Sequence, residues 1–237
     1  MLTAIIVAAG SSRRMGIDKL FAIIAGRPVI AHAINAFEQA NSVAEIVVVA
    51  GEDRHGEIRK MSRDESFKKV RSIITGGEQR QDSVRAGLEN LSPDARYVAV
   101  HDAARPLVSP EQIERVFERC RVHGAASLAE PISDTLKRAD IDLVVTDSVD
   151  RHQLYAMQTP QIFERAWIEE AYRDVDAKKV SVTDEVSAVE RLGRKVFLVP
   201  NDDFNFKITY PRDLPLAEFV LNQRTQHAPG EKLGRLK

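Results

Sequence analysis

Short apolar blocks recur along this chain with little polar alternation inside them: LTAIIVA at 2–8, EIVVVA at 45–50, VRSIIT at 70–75, YVAVHD at 97–102, AASLAE at 125–130 and KVFLVP at 195–200. A strand with one face in water alternates apolar and polar residues, so such runs read as strands covered on both faces, as in a parallel sheet. Stretches of helical period separate them. From Pro28 to Ala40, the residues Val29, Ile30, Ala33, Ile34 and Phe37 recur at steps of three and four, and Pro28 suits a helix start. Gln81–Leu91 and Pro110–Val122 repeat the pattern, the second with Ser109 as N-cap and Pro110 at the first helical position. The β-α-β-α order predicts an α/β fold with a doubly wound, mostly parallel sheet, whose ligands gather at the carboxyl ends of its strands.

Residues 132–155, ISDTLKRADIDLVVTDSVDRHQLY, break the rhythm with turn residues and β-prone pieces but no helical period. They read as a strand pair extending from the main sheet. A strand pair cannot bury an apolar face alone, which suits an arm used for dimerisation. Residues 224–237 are polar with Pro and Gly and read as a flexible tail. At 237 residues, 43% hydrophobic and 29% charged, residues 1–223 suit a single domain.

Lys+Arg at 34 against Asp+Glu at 35 leaves a net charge of −1, so no global basic field gathers nucleic acid and an anionic ligand needs a local cluster. The lone Cys120 excludes an intramolecular disulfide and a cysteine zinc cluster, pointing to a reducing compartment. MLTAIIVAAG has no basic flank, and its apolar run is short for a signal peptide or a span. The expectation is a cytoplasmic protein without a membrane or nucleic-acid partner.

Candidate chemistry begins where the first strand runs into AAGSSRRMGIDKLF. Small residues Ala8, Ala9, Gly10 and Ser11 let backbone amides approach phosphate oxygens, with Arg13, Arg14 and Lys19 supplying charge. The segment is neither G-x-x-x-x-G-K-[ST] nor G-x-G-x-x-G. Solvated charges on a surface loop are the competing account. In VHDAARPLV, Asp102 and Arg105 stand at a strand end, where an aspartate can hold hydroxyls or help position a metal and an arginine can grip phosphate. They could equally cap the turn and pair with each other. GGEQRQDSV offers Gly77 and Ser83 to a pyrimidine edge, or simply makes a turn. Thr183-Asp184-Glu185 reads first as a helix N-cap, and His101, adjacent to Asp102 on a strand, faces the other way as a structural residue.

AAGSSRRMG, DKL, GRPVIAHAI, HDAARP, QTPQIF, TDEVSAVE and FKITYPRDLPLAE occur in an order and spacing that resemble the 2-C-methyl-D-erythritol 4-phosphate cytidylyltransferases, over residues 2 to about 222. The resemblance implies a Rossmann-like sheet of the nucleotide-diphospho-sugar transferase type, with a protruding β-arm exchanged between two subunits. It implies that Ala8, Ala9, Gly10 and Ser11 line a CTP pocket, with Gly77, Glu78 and Ser83 at the cytosine. Arg14, Lys19 and Lys207 would stabilise the phosphorus under attack. Asp102, Arg105, Thr135, Thr159, Thr183 and Lys207 would hold the methylerythritol phosphate, with Arg151 reaching it from the neighbouring subunit. Mg²⁺ or another divalent cation would be held mainly by the CTP phosphates, with Asp102 a possible ligand. Asp18 and Phe206 stand where the family commonly has a proline and an aliphatic residue. Competing readings are a ribitol-5-phosphate cytidylyltransferase, a sugar-1-phosphate nucleotidyltransferase and a non-catalytic nucleotide-binding regulator.

Overall fold

The computed structural model describes residues 1–10, 16 and 18–226. The chain runs β1 (Leu2–Ala8), β2 (Ile23–Ile24), β3 (Arg27–Pro28), α1 (Val29–Gln39), β4 (Val43–Ala50), α2 (His55–Asp64), β5 (Val70–Thr75), α3 (Arg80–Glu89) and β6 (Tyr97–Asp102). It continues through α4 (Pro110–His123), β7 (Ala125–Pro131), β8 (Leu136–Ala139), β9 (Val145–Val149), β10 (Tyr155–Glu164), α5 (Arg165–Lys178), α6 (Glu185–Glu190), β11 (Phe197–Pro200) and α7 (Asp213–Gln226).

The main sheet has seven strands in the order β11-β7-β10-β6-β1-β4-β5. Its pairings are parallel except at β10, which runs antiparallel to both β6 and β7. Successive side chains of a strand point to opposite faces, and both faces are covered. Leu2, Ala4, Ile6 and Ala8 pack on one side with Ile34 and Phe37 of α1, Ile58 of α2 and Ile113 of α4. Ile5, Val47, Val49, Val98 and Val100 pack on the other with Val84 of α3, Ile168 of α5 and Val189 of α6. Each such fully buried aliphatic stabilises by about 1.5–3 kcal/mol, a gain that a polar residue at the same position would forfeit. That is the reason the strands lack alternation.

Helix α4 starts as its sequence predicts: the Ser109 hydroxyl accepts from Gln112 N–H at 3.2 Å and the Gln112 side chain accepts from Ser109 N–H at 3.0 Å. It ends at Gly124, whose φ of 84° and whose closeness to the Trp167 ring, 2.5 Å from an added Cβ, both exclude a side chain. Helix α7 runs through Gln226, into the stretch expected as a tail, because Ala217 and Val220 are buried beside Ile208 and Leu107. Residues 227–237 lie outside the described residues. Among those described, no helix is long and apolar enough to cross a membrane.

The expected arm is present. β8 and β9 form a separate antiparallel pair, and the β7–β10 ladder leads into it through Ile132 N–H donating to the Leu154 carbonyl at 3.1 Å.

Candidate active site

β6 ends at the middle of the sheet, and its last two residues face opposite ways. His101 lies against Phe37 of α1, ring centroids 5.0 Å apart. Its Nε2 is 3.2 Å from the Arg105 carbonyl and its Nδ1 is 3.0 Å from Thr159 Oγ1. A carbonyl can only accept, so Nε2 carries the proton and Nδ1 accepts from the Thr159 hydroxyl. The Thr159 oxygen in turn accepts from Asp102 N–H at 3.1 Å. Burial, above all, pulls the imidazole down to about 3, so the ring is neutral at pH 7. The Thr159 hydroxyl was expected at the substrate; it is buried and committed to this frame behind Asp102.

Asp102 points to the α3 and α6 side. Its Oδ1 accepts from Arg80 Nε at 2.9 Å and its Oδ2 from Lys207 Nζ at 2.7 Å. Arg80 also donates Nη1 and Nη2 to the two oxygens of Glu185, at 2.7 and 3.0 Å, and Glu185 accepts from the Tyr172 hydroxyl at 3.0 Å. Burial would raise the Asp102 carboxyl, but the cations of Arg80 and Lys207 outweigh it and hold the group well below the usual carboxylate range. Burial also pulls Arg80 down, and the carboxylates of Glu185 and Asp102 more than restore it. The alternative pairing of Asp102 with Arg105 is not formed. Arg105 Nη1 donates to the Asn205 carbonyl at 2.7 Å and Nη2 to the Met157 carbonyl at 3.4 Å, and burial lowers its guanidinium.

An amide web places Lys207. Asn205 Nδ2 donates to the Thr159 carbonyl at 2.9 Å and to Gln158 Oε1 at 3.1 Å, and Asn201 Nδ2 reaches the same Gln158 oxygen at 3.0 Å. These bonds hold the segment leading to Lys207 against β10, where its pairing with β7 shifts register between Met157 and Gln161. Lys19 Nζ donates to the Ile208 carbonyl at 2.8 Å, which brings the loop lysine to the residue after Lys207. Asp18, in the place of the family's proline, accepts from Leu20 N–H at 3.1 Å and pairs with Arg54 Nε at 2.8 Å. Arg54 Nη1 also donates to the carbonyls of Ala8 at 2.8 Å and Gly10 at 3.1 Å, so one guanidinium ties both ends of the loop. Ser11 and Arg14 lie outside the described residues.

Ala9 and Ser83 approach each other across Gly76: an added Cβ there would sit 2.6 Å from Ala9 Cβ and 2.7 Å from Ser83 Oγ. No larger residue fits between the end of β1 and the start of α3. Gly77 follows, with Asp82 Cβ 2.3 Å from where its own Cβ would be, and Glu78 is exposed.

A small-residue strand end, a loop lysine bonded beside Lys207 and a carboxylate between cations suit the binding of phosphates and hydroxyls. Comparison with known proteins names the family with this arrangement. The sequence profile of the 2-C-methyl-D-erythritol 4-phosphate cytidylyltransferases (IspD) matches residues 2–223. The chain belongs to that family. A relative of that name from Pelotomaculum thermopropionicum is 41% identical over 94% of this chain and 95% of its own. Among solved structures, 4-diphosphocytidyl-2C-methyl-D-erythritol synthase from Anaerococcus prevotii superposes with a TM-score of 0.83 at 28% identity, covering 94% of this chain and 96% of that one. The cytidylyltransferase from Thermus thermophilus is 30% identical, with a TM-score of 0.74 over 92% and 98% of the two chains.

The remaining family positions are spread more widely. Thr183 is exposed, its hydroxyl 3.1 Å from Ser187 Oγ, and Asp184 caps α6 by accepting from Ser187 N–H at 2.9 Å. Thr135 and Arg151 are exposed on the arm, Arg151 donating to the Ser133 carbonyl, and among the described residues neither hydrogen-bonds the Asp102 cluster. Sequence reasoning missed Arg80, Arg54 and Gln158. Arg80 and Gln158 stood inside the quoted GGEQRQDSV and QTPQIF motifs, but their partners are remote in sequence.

Proposed function

We infer that this chain transfers CMP from CTP to 2-C-methyl-D-erythritol 4-phosphate, giving 4-diphosphocytidyl-2-C-methyl-D-erythritol and pyrophosphate, a step of isoprenoid biosynthesis. Membership of the family supports the reaction. The observation that carries it in the site is that Lys19 bonds the carbonyl of Ile208, next to Lys207, while Lys207 bonds Asp102 at the carboxyl end of β6.

The acceptor phosphate attacks the α-phosphorus of CTP in line. A phosphate monoester is already anionic near neutral pH, its second pKa being about 6, so no general base is required. Lys19, Lys207 and Arg14 neutralise the charge that builds on the equatorial and leaving oxygens, acting as preorganised donors. Ala8, Ala9, Gly10 and Ser11 bring amides to the triphosphate, and Gly77, Glu78 and Ser83 face the cytosine. Asp102 receives acceptor hydroxyls, and Arg105, which pairs with no carboxylate among the described residues, faces the acceptor phosphate together with Thr183. Mg²⁺ or another divalent cation, when bound, supplies Lewis-acid neutralisation of the triphosphate. It would be held mainly by the phosphates, since both Asp102 oxygens are taken by Arg80 and Lys207.

The arm's exposed apolar residues support a homodimer, with Arg151 and Thr135 delivered to the partner's acceptor site. CTP and the acceptor are soluble anions, and the cytoplasm is the compartment proposed. Pyrophosphate release is the test, with CTP, UTP and ATP each offered 2-C-methyl-D-erythritol 4-phosphate or ribitol 5-phosphate. Turnover with CTP and the methylerythritol phosphate is expected; turnover only with ribitol 5-phosphate, or only with another nucleotide, overturns the assignment.

A further inference from the structure

Asp102 is held by two cations of different character. Lys207 has a flexible stem and its side chain is 38% exposed. Arg80 is a planar fork locked by its bidentate bonds to Glu185, whose side chain is 1% exposed and is itself held by the Tyr172 hydroxyl. An incoming phosphate competes for the lysine more readily than for the locked arginine. A buried ion pair is in general no more stabilising than apolar residues of the same volume, so the trio of Asp102, Arg80 and Glu185 calls for a reason besides stability.

We propose that Arg80 is a positioning residue for the acceptor: it keeps the Asp102 carboxylate aimed when Lys207 turns to phosphate, leaving Asp102 Oδ2 to accept an acceptor hydroxyl. Glu185 fixes Arg80 for that task from α6. This role rests on the reaction inferred above. It predicts a loss concentrated on one substrate, since the nucleotide contacts proposed for Gly77, Glu78 and Ser83 do not involve the Arg80 guanidinium.

Steady-state pyrophosphate release by wild type, Arg80→Gln, Arg80→Lys and Arg85→Gln, each checked for folding by its thermal unfolding midpoint, tests the role. Arg80→Gln is expected to raise the KM for the acceptor on the order of tenfold or more, the size of a lost charge-assisted hydrogen bond, and the KM for CTP by less than about twofold. Arg80→Lys, which keeps the charge but cannot span both carboxylates, should recover part of that loss. Arg85→Gln removes a guanidinium from the same helix that pairs with Asp82 and Asp176 instead, and should leave the acceptor KM unchanged. A folded Arg80→Gln with an unshifted acceptor KM, or with both KM values raised equally, overturns the role. Should Arg80→Gln fail to fold, Arg80→Lys decides on the same readout. A wild type that releases no pyrophosphate with any acceptor overturns the reaction itself, and this role with it; wild-type turnover with an unshifted variant overturns the role alone.

Discussion

The Asp102 end of the sheet and the β8–β9 arm solve opposite problems. Around Asp102 the chain buries charge and satisfies it internally, through Arg80, Lys207, Glu185 and Tyr172. On the arm it exposes apolar surface: Ile141 is 95% exposed and Leu143 85%. The arm is nonetheless locally well made, since Asp140 Oδ1 accepts from the N–H groups of Asp142 and Val144, both at 3.0 Å. A region with good turns and no core is the part that the proposed homodimer would cover, since an exposed apolar patch of this kind suits docking. The one region therefore tests as a part of the monomer and the other as a part of an assembly.

Glu185→Ala should break the contrast hardest. It leaves the Arg80 guanidinium, 27% exposed, with a single carboxylate partner, which costs up to the roughly 3–5 kcal/mol of a fully buried pair, read as a lowered denaturant midpoint. Leu143→Ser on the arm should move the same midpoint by less than about 0.5 kcal/mol when measured on the monomer. Equal losses would mean that the arm packs within its own chain.

Lys207→Ala separates chemistry from folding at the Asp102 end. Losing a preorganised charge donor costs on the order of 3 kcal/mol in the transition state, roughly a hundredfold in kcat. The denaturant midpoint should shift far less, because the Lys207 side chain is partly exposed and Asp102 keeps Arg80. Near-normal turnover in the folded variant would remove Lys207 from the reaction. On the arm, Ile141→Asp combined with Leu143→Asp should weaken the proposed dimer by about tenfold or more, given what burying such a side chain is worth. Sedimentation velocity over a concentration series reads it. A dimer of unchanged affinity would place the interface elsewhere.

The same contrast explains what could be read before the fold was known. Blocks such as EIVVVA and YVAVHD were legible because residues buried from both sides leave no polar position to confuse the pattern. β10 was not, since Gln158, Thr159 and Gln161 lie buried in it and spend their side chains on hydrogen bonds that only the folded chain supplies. α2 was equally hidden, because HGEIRKMSRD buries only His55, Ile58 and Met61. Within the site, Asp102 stood out by its place at a strand end and Lys19 by its place in the loop that follows one. Arg80 did not: an arginine in the first turn of a helix is ordinary until its partners, 22 and 105 residues away, come into contact. The N-cap at α6 was legible as lying within Thr183-Asp184-Glu185, and the bond from Ser187 N–H to Asp184 picks the residue.

The smallest effect concerns the frame behind Asp102 and depends on pH. His101 is neutral when folded, with its pKa pulled to about 3, and titrates near 6.5 in an unfolded chain. Between those values the unfolded state binds the extra proton, so stability is full above about pH 6.5 and falls as the pH drops through the window, by about 1.4 kcal/mol between pH 7.5 and 5.5. Asp102, held below the usual carboxylate range, contributes fully above about pH 4 and loses its part only below that, so it does not shape this interval. His32, also lowered by burial, adds to the slope, and the informative quantity is therefore the difference between wild type and His101→Gln. Glutamine can accept from the Thr159 hydroxyl and donate to the Arg105 carbonyl, yet does not titrate. Urea midpoints at pH 7.5 and 5.5 should draw closer together in His101→Gln. An unchanged gap would mean that the folded chain holds His101 protonated, which would turn the Thr159 hydroxyl from donor to acceptor toward the ring.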